Sequence, residues 1–292
     1  MLVLLRITIG WHFLYQGLWK LDNPSFTSAG FLSQAKGPWA DDFHALIPDY
    51  YGHERLDEKK LFAKWENLIE RAKAKYSLTP EQQQRAAVAL AAKKGLAQQF
   101  FVDNEEPLKN YFYDLNRWRE AGKDPHFNGT EFHKKRVYDK EKSLLAQASP
   151  WLNQMDSWGA EIKADIWSTL TPEQRARGDL PVDEVSLAGM DQFITFTNIA
   201  IGLCLMVGLF TRFASFSGAV FLLSIVLSQP EWPGIYPPAP AAAGRSLVVT
   251  KEVVEMVAMF ALAALPVGRW GGLDFFVHHL FVRRLFGKRD SR

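Results

Sequence analysis

Residues 193–227 read FITFTNIAIGLCLMVGLF, then Thr211-Arg212, then FASFSGAVFLLSIVL. The first run holds no formal charge and approaches the roughly 20 apolar residues that cross a bilayer. Thr211 and Arg212 interrupt it briefly before a second apolar run. An apolar hairpin with a basic tip is a membrane signature. The tip belongs on the cytoplasmic side, where Lys and Arg of short loops are retained. The soluble alternative is a helical hairpin in the core of a large domain, and the chain's further apolar segments weigh against it.

Averages conceal this. Of 292 residues, 48% are hydrophobic and 23% charged, and the mean hydropathy is −0.13, all ordinary for a soluble protein. The apolar residues gather at the two ends and the charges in the middle. A net charge of +2 gives no footprint for nucleic acid. The single cysteine, Cys204, excludes an intrachain disulfide, a CxxC pair and a Cys-rich zinc site. Ten Trp and 21 Phe suit helices that end at a lipid–water interface.

Residues 1–21, MLVLLRITIGWHFLYQGLWKL, fit either a signal peptide or a retained membrane helix. Arg6 lies inside the apolar stretch, and no good small-x-small cleavage site follows, so a retained helix is expected. Arg6 is expected to snorkel to cytoplasmic headgroups. His12, Gln16 and Lys20 recur every four positions and share one helical face, which should meet other helices or a cavity. Asn23-Pro24 ends the helix.

From about Lys36 to Pro181 the chain is charged and rich in Glu, Gln, Lys and Ala. Leu61, Trp65, Leu68, Ile69 and Ala72 keep helical spacing. Thr79-Pro80-Glu81-Gln82 predicts a helix start, with Thr79 as cap and Gln82 reaching back. That helix should weaken near Gly95. A second helix is predicted over 107–121, a loop over 124–129, and a third helix over 131–170 with a break at Pro150. Thr171-Pro172-Glu173-Gln174 repeats the earlier start, either through duplication or because the tetrapeptide caps well. The prolines of 228–238 exclude helix and favour an ordered extracytoplasmic loop. A last apolar segment is predicted over 246–267, carrying Lys251, Glu252 and Glu255. The tail from Leu273 is amphipathic: Phe275, His278, Phe281, Val282 and Leu285 share a side, while Arg283, Arg284, Lys288, Arg289 and Arg292 bring charge suited to an anionic leaflet.

The expected architecture is all-α: a four-helix transmembrane bundle with an inserted extracytoplasmic helical domain and a C-terminal amphipathic interfacial helix. Its parts are the first helix and exit loop (1–35), the insert (36–184), helices two to four (185–270) and the cytoplasmic tail (271–292). With Arg212 and the tail cytoplasmic, the N-terminus is too, and the insert lies outside. This is the topology of a multi-pass inner-membrane protein.

Three blocks of residues resemble the DoxX-like membrane proteins. One runs from Leu5-Arg6 through Gly10-Trp11-His12-Phe13-Leu14-Tyr15 and Gly17-Leu18-Trp19-Lys20-Leu21 to Gly30-Phe31-Leu32. Another is Gly202 to Arg212, ending Gly208-Leu209-Phe210-Thr211-Arg212. The last runs from Val248-Val249-Thr250-Lys251 through Glu255 to Gly268-Arg269-Trp270 and Leu273-Asp274. Their order and spacing carry the resemblance, which covers both ends of the chain and not the middle. It implies a four-helix membrane bundle. Some relatives are subunits of thiosulfate:quinone oxidoreductase, and others are linked to oxidative-stress complexes. Gln16 stands where relatives often carry an acidic residue or His, and the large insert replaces a short loop.

The candidate chemistry follows from polar groups placed at membrane depth, where each charge costs at least about 2.5–3.5 kcal/mol at a helix centre. Such groups should pair or face water. Lys251 and Glu255 can pair at i,i+4. His12 and Glu255 are expected to approach one another as candidate catalytic residues, with Gln16, Lys20, Lys251 and Glu252 lining a substrate or quinone pocket near the outer leaflet. The bland reading of the same set is interhelical packing. His12 is the only histidine in a membrane segment, too few for a bis-His haem, and no GxGxxG offers a dinucleotide site. No built-in cofactor is expected; a diffusible bound quinone or a partner's cofactor would carry electrons. His126, Glu131 and His133 fit no zinc spacing, and no metal is expected. Asn128-Gly129-Thr130 is a glycosylation sequon. Asp41-Asp42, His44 and residues 50–54 either cover the mouth of the bundle or anchor at the interface. The expected partners are membrane lipid and, through the 36–184 insert, other membrane or extracytoplasmic proteins. The function classes are an accessory redox subunit, a stand-alone quinone-linked oxidoreductase acting on a small reductant such as thiosulfate, and, more weakly, a transporter.

Overall fold

The computed structural model describes residues 1–123, 130–180, 187–238 and 246–282. The 124–129 loop with His126 and Asn128, the lead-in over 181–186 and the basic tail from Arg283 lie outside the described residues. The described chain is all-α. Its helices are α1 (Leu2–Asp22), α2 (Ala29–Leu32), α3 (Ala40–His44), α4 (Glu58–Tyr76), α5 (Pro80–Asp103), α6 (Glu105–Lys123) and α7 (Glu131–Thr169). They continue with α8 (Pro172–Arg175), α9 (Leu187–Val207), α10 (Thr211–Ser228), α11 (Lys251–Ala264), α12 (Val267–Gly271) and α13 (Asp274–Val277), then a π-helical turn, His278–Val282. Two compact units result: Met1–Ile47 with Val185–Arg292, and Pro48–Glu184. Residues 36–47, read from sequence with the insert, group with the first unit.

In the first unit α1 packs antiparallel on α9, and α10 packs on α11. Ile9, Phe13, Ile201, Leu205, Leu222, Met259 and Leu262 form the shared core. Glycines set how closely α1 and α9 approach. A Cβ on Gly202 would stand 2.7 Å from Leu14 Cα, and one on Gly17 would stand 2.8 Å from the Ile199 amide nitrogen. Small residues of this kind are what let helix backbones meet. Arg6 does not snorkel: it is 1% exposed, and its Nη2 donates to Gly271 O at 3.0 Å.

The last apolar segment is shorter than expected. Helix begins at Lys251 rather than Ser246, because Thr250 is extended (φ −82°, ψ 171°) and Val248 sits at φ 71°. α11 therefore has 14 residues, roughly 21 Å at 1.5 Å per residue. Among the described residues, two helices are long and apolar enough to cross a membrane by length and composition, α9 and α10. α1, with Arg6, His12 and Gln16 along its apolar stretch, is not among them. The proline loop is pinned by Lys36, whose amide donates to Ser228 O (2.8 Å) and whose Nζ donates to Pro237 O (3.0 Å).

In the second unit, one expected break and one expected weak point both lie within continuous helix. Pro150 lies within an unbroken α7. It stands on the exposed face, so the carbonyl it frees at Ala146 also faces solvent, while Leu144, Ala148, Leu152 and Met155 stay buried. Each such Leu or Met contributes about 1.5–3 kcal/mol, enough together to offset the roughly 3 kcal/mol cost of an interior proline. Gly95 likewise leaves α5 intact, at a cost of about 1 kcal/mol relative to Ala. Both TPEQ starts close as capping boxes, and the two meet. Gln82 Nε2 donates to Gln174 Oε1 at 2.8 Å, and Gln174 Nε2 donates to Gln82 Oε1 at 3.0 Å. Nothing local in the sequence forecast that buried amide pair.

Two outcomes test this packing. Gly202→Ala should cost about 1–3 kcal/mol, because the added carbon must push back main chain rather than a movable side chain; thermal unfolding of the purified protein reads it. The second outcome concerns pH. Tyr111 is wholly buried and donates to Tyr51 O at 2.9 Å. Burial chiefly pushes its pKa up to about 12, with Arg119 opposing. Unfolded tyrosine releases its proton near pH 10, so between 10 and 12 the native state binds more protons than the unfolded state. Stability is then full below pH 10 and falls as pH rises through 12. Denaturant unfolding should show this slope reduced in Tyr111→Phe.

Candidate functional site

α1 presents His12 toward α11, and Glu255 lies one turn into α11. His12 Nδ1 stands 2.9 Å from Glu255 Oε1. The His12 side chain is 53% exposed and that of Glu255 18%, so the pair opens onto the outer surface of the helices. That surface is mixed: on α1 the exposed Thr8 and Gln16 lie one turn either side of His12, and Trp11, Tyr15, Val254 and Val257 are exposed beside the pair in the sequence.

The remaining pocket candidates divide. Lys251 does not pair with Glu255. Its Nζ lies 3.6 Å from Glu252 Oε1, and its side chain is 89% exposed. With Glu255 turned to His12, Lys251 is left at the helix start, where its length carries it outward. Gln16 is exposed, and Lys20 is half-buried with its ammonium 5.4 Å from the centroid of the Phe26 ring. Neither lines the cavity that Lys251 and Glu252 border. That cavity is about 430 Å³ and is also lined by Phe31, Gln229, Glu231 and Trp232. Val248 forms part of its wall in a left-handed conformation that costs a β-branched residue of order 1–3 kcal/mol. Its amide donates to Glu231 O at 3.2 Å.

A second cluster escaped the sequence reading. Asp274 closes the N-terminus of α10: Phe210 N donates to Oδ1 at 2.7 Å and Thr211 N to Oδ2 at 3.0 Å. Asp274 N returns a bond to Gly208 O at 2.8 Å, and Leu273 N one to Val207 O at 3.1 Å. Arg6 fills the notch between Gly208 and Gly272. A Cβ on Gly272 would stand 2.6 Å from Arg6 Nη1 and 2.7 Å from Gly208 Cα. No local spacing announces a cap 63 residues away. The one trace of it was that Leu273-Asp274 fell in a block of the family resemblance.

The 50–54 run belongs to the second unit, with Tyr51 and Gly52 buried and His53 and Glu54 exposed. His53 stacks on Phe112 with 5.3 Å between centroids. Burial, and then Arg119, hold the His53 pKa below the usual histidine range. His44 is buried in the first unit. Glu131 and His133 sit in the first turn of α7, and among the described residues no three His, Cys, Asp or Glu gather as metal ligands.

The fold and these sites define an all-α protein with two helices of membrane-spanning length and composition and a His–carboxylate contact between α1 and α11. Comparison with family models, curated proteins and solved structures gives no match.

Removing the long-range cap should be costly. Asp274→Ala strips both acceptors from the α10 N-terminus, and a loss at or above about 2 kcal/mol is expected. Asp274→Asn, which keeps one acceptor, should restore part of it in the same unfolding assay.

Proposed function

We propose that the chain is a DoxX-like integral membrane protein of four helices, α1, α9, α10 and α11, serving a quinone-linked membrane redox system as an accessory subunit. Several features support a membrane setting. α9 and α10 are long and apolar enough to cross a bilayer, and most of each lies unburied. Phe193, Phe196, Phe213 and Phe216 point outward, an apolar surface of a kind that monomeric soluble proteins rarely expose. In this reading Arg212 faces the cytoplasm, and the Pro48–Glu184 unit is extracytoplasmic, where it meets partner proteins.

The observation that carries the redox reading is the His12–Glu255 contact, open at the outer surface of helices that expose Trp11, Tyr15, Val254 and Val257. A lipid-soluble quinone reaches such a pair from the side. With the Glu255 carboxylate accepting from Nδ1 of the imidazolium form of His12, Nε2–H donates to a quinone oxygen and passes its proton there as electrons arrive from a partner's cofactor. The neighbouring 430 Å³ cavity with Lys251 and Glu252 favours a second reading, a stand-alone oxidoreductase that admits a small reductant there.

Two measurements decide. The protein should stay in the membrane through a carbonate wash, and release without detergent would remove the whole proposal. Quinone extracted with the wild type should fall roughly tenfold in His12→Ala, the effect of one lost hydrogen bond of about 1.4 kcal/mol, and should fall in Glu255→Gln. Equal quinone content in wild type and both variants would leave the pair as helix packing. Partner chains in the mild-detergent preparation favour the accessory role; turnover by the purified chain alone favours the enzyme.

A further inference from the structure

We propose that the corner between the α9–α10 turn and the α11–α12 turn binds the headgroup phosphate of an anionic phospholipid, with Arg212 and Arg269 as its ligands. The proposal rests on the membrane reading above. A cavity of about 240 Å³ opens at this corner, lined by Arg212, Arg269, Phe210, Phe213, Pro266 and Val277. Arg212 is held in place because its Nε donates to Ala263 O at 2.8 Å, which leaves its two terminal nitrogens for a ligand. Neither guanidinium has a carboxylate partner among the described residues. The other titratable groups on the cavity wall are Asp274 and His278. Asp274 is spent: its two oxygens accept from the Phe210 and Thr211 amides, so its charge answers the N-terminus of α10. Arg212, held by its main-chain bond, and the exposed Arg269 on the same wall thus face one committed anion. A phosphate with guanidinium forks on it meets this geometry.

The lining also says which phosphate. Phe210 and Phe213 are both largely exposed at the rim, and Pro266 and Val277 complete an apolar floor. A free inorganic phosphate uses only the cationic half of such a site. A phospholipid uses both, phosphate on the arginines and glycerol and acyl carbons on the rings. A choline headgroup would bring its own cation against Arg212 and Arg269, so the preference is for net-negative lipid.

The test uses the full chain in mild detergent, read by native mass spectrometry with phosphatidylglycerol and phosphatidylcholine of matched acyl chains. The wild type should retain phosphatidylglycerol in preference. The Arg212→Gln/Arg269→Gln double variant should lose that preference roughly thirtyfold, as two surface cations contribute about 1 kcal/mol each. The basic residues after 282 remain in both proteins, so the difference reports the cavity alone. Excess inorganic phosphate should not displace the lipid; if it does, the site serves free phosphate and the lipid assignment is overturned. Equal retention of the two lipids by the wild type, or an unchanged preference in a carbonate-resistant double variant, also overturns it. A carbonate wash of the wild type separates this failure from failure of the membrane reading: a protein released by carbonate loses both, whereas one that stays embedded without lipid preference loses only the headgroup site.

Discussion

Arg6 leaves water almost completely, and the ends of the chain are arranged to make that tolerable. Burying a guanidinium costs several kcal/mol unless its charge and its donors are met. Here Nη2 reaches Gly271 O and Asp274 supplies the nearby negative charge, while the buried Nε and Nη1 find no hydrogen-bond partner. Glycine at 208 and 272 provides the room. One side chain thus ties the first helix to the turn of the hairpin and to the segment after α11. The bonds between Val207–Gly208 and Leu273–Asp274 then fix the same corner through the main chain. With that corner set, α1 lies along α9 at glycine contact distance, and α11 brings Glu255 to His12.

The second unit has a different logic. Its core is assembled from aromatic and aliphatic residues of α4 to α7, and its polar centre is the Gln82–Gln174 pair. Each glutamine serves its own cap and the other's side chain, and each also donates to main chain: Gln82 to Thr169 O at 2.8 Å and Gln174 to Tyr76 O at 3.1 Å. The amide hydrogens and oxygens are thereby used where water is excluded, which is what a buried polar network requires. A tetrapeptide that occurs twice is explained by capping chemistry at each site, and by mutual recognition between the sites.

What could be read from sequence was what depends on neighbours in the chain. Thr79 and Thr171 were legible as caps because their partners are three residues on. Trp65, Ile69 and Ala72 were legible as a buried face because helical spacing is local. His12 and Glu255 stood out as polar residues in apolar segments, although their distance came only with the fold. Arg6 was misread because its burial depends on glycines some two hundred residues and more away in the chain. Pro150 was misread as a break because packing on the opposite face decides whether a helix survives it. Lys251 was assigned to Glu255 by spacing alone, and the helix start and the claim of His12 on Glu255 redirected both.

Asp274 caps a helix that precedes it by more than sixty residues. During synthesis the ribosome completes α9 and α10 well before this carboxylate exists, so the hairpin is born with a bare amino end. Its final shape waits for the arrival of the carboxyl-terminal portion. A part of the polypeptide made later is therefore the fastener of a part made long before, and a nascent chain arrested before residue 274 would hold the hairpin in an unfinished form.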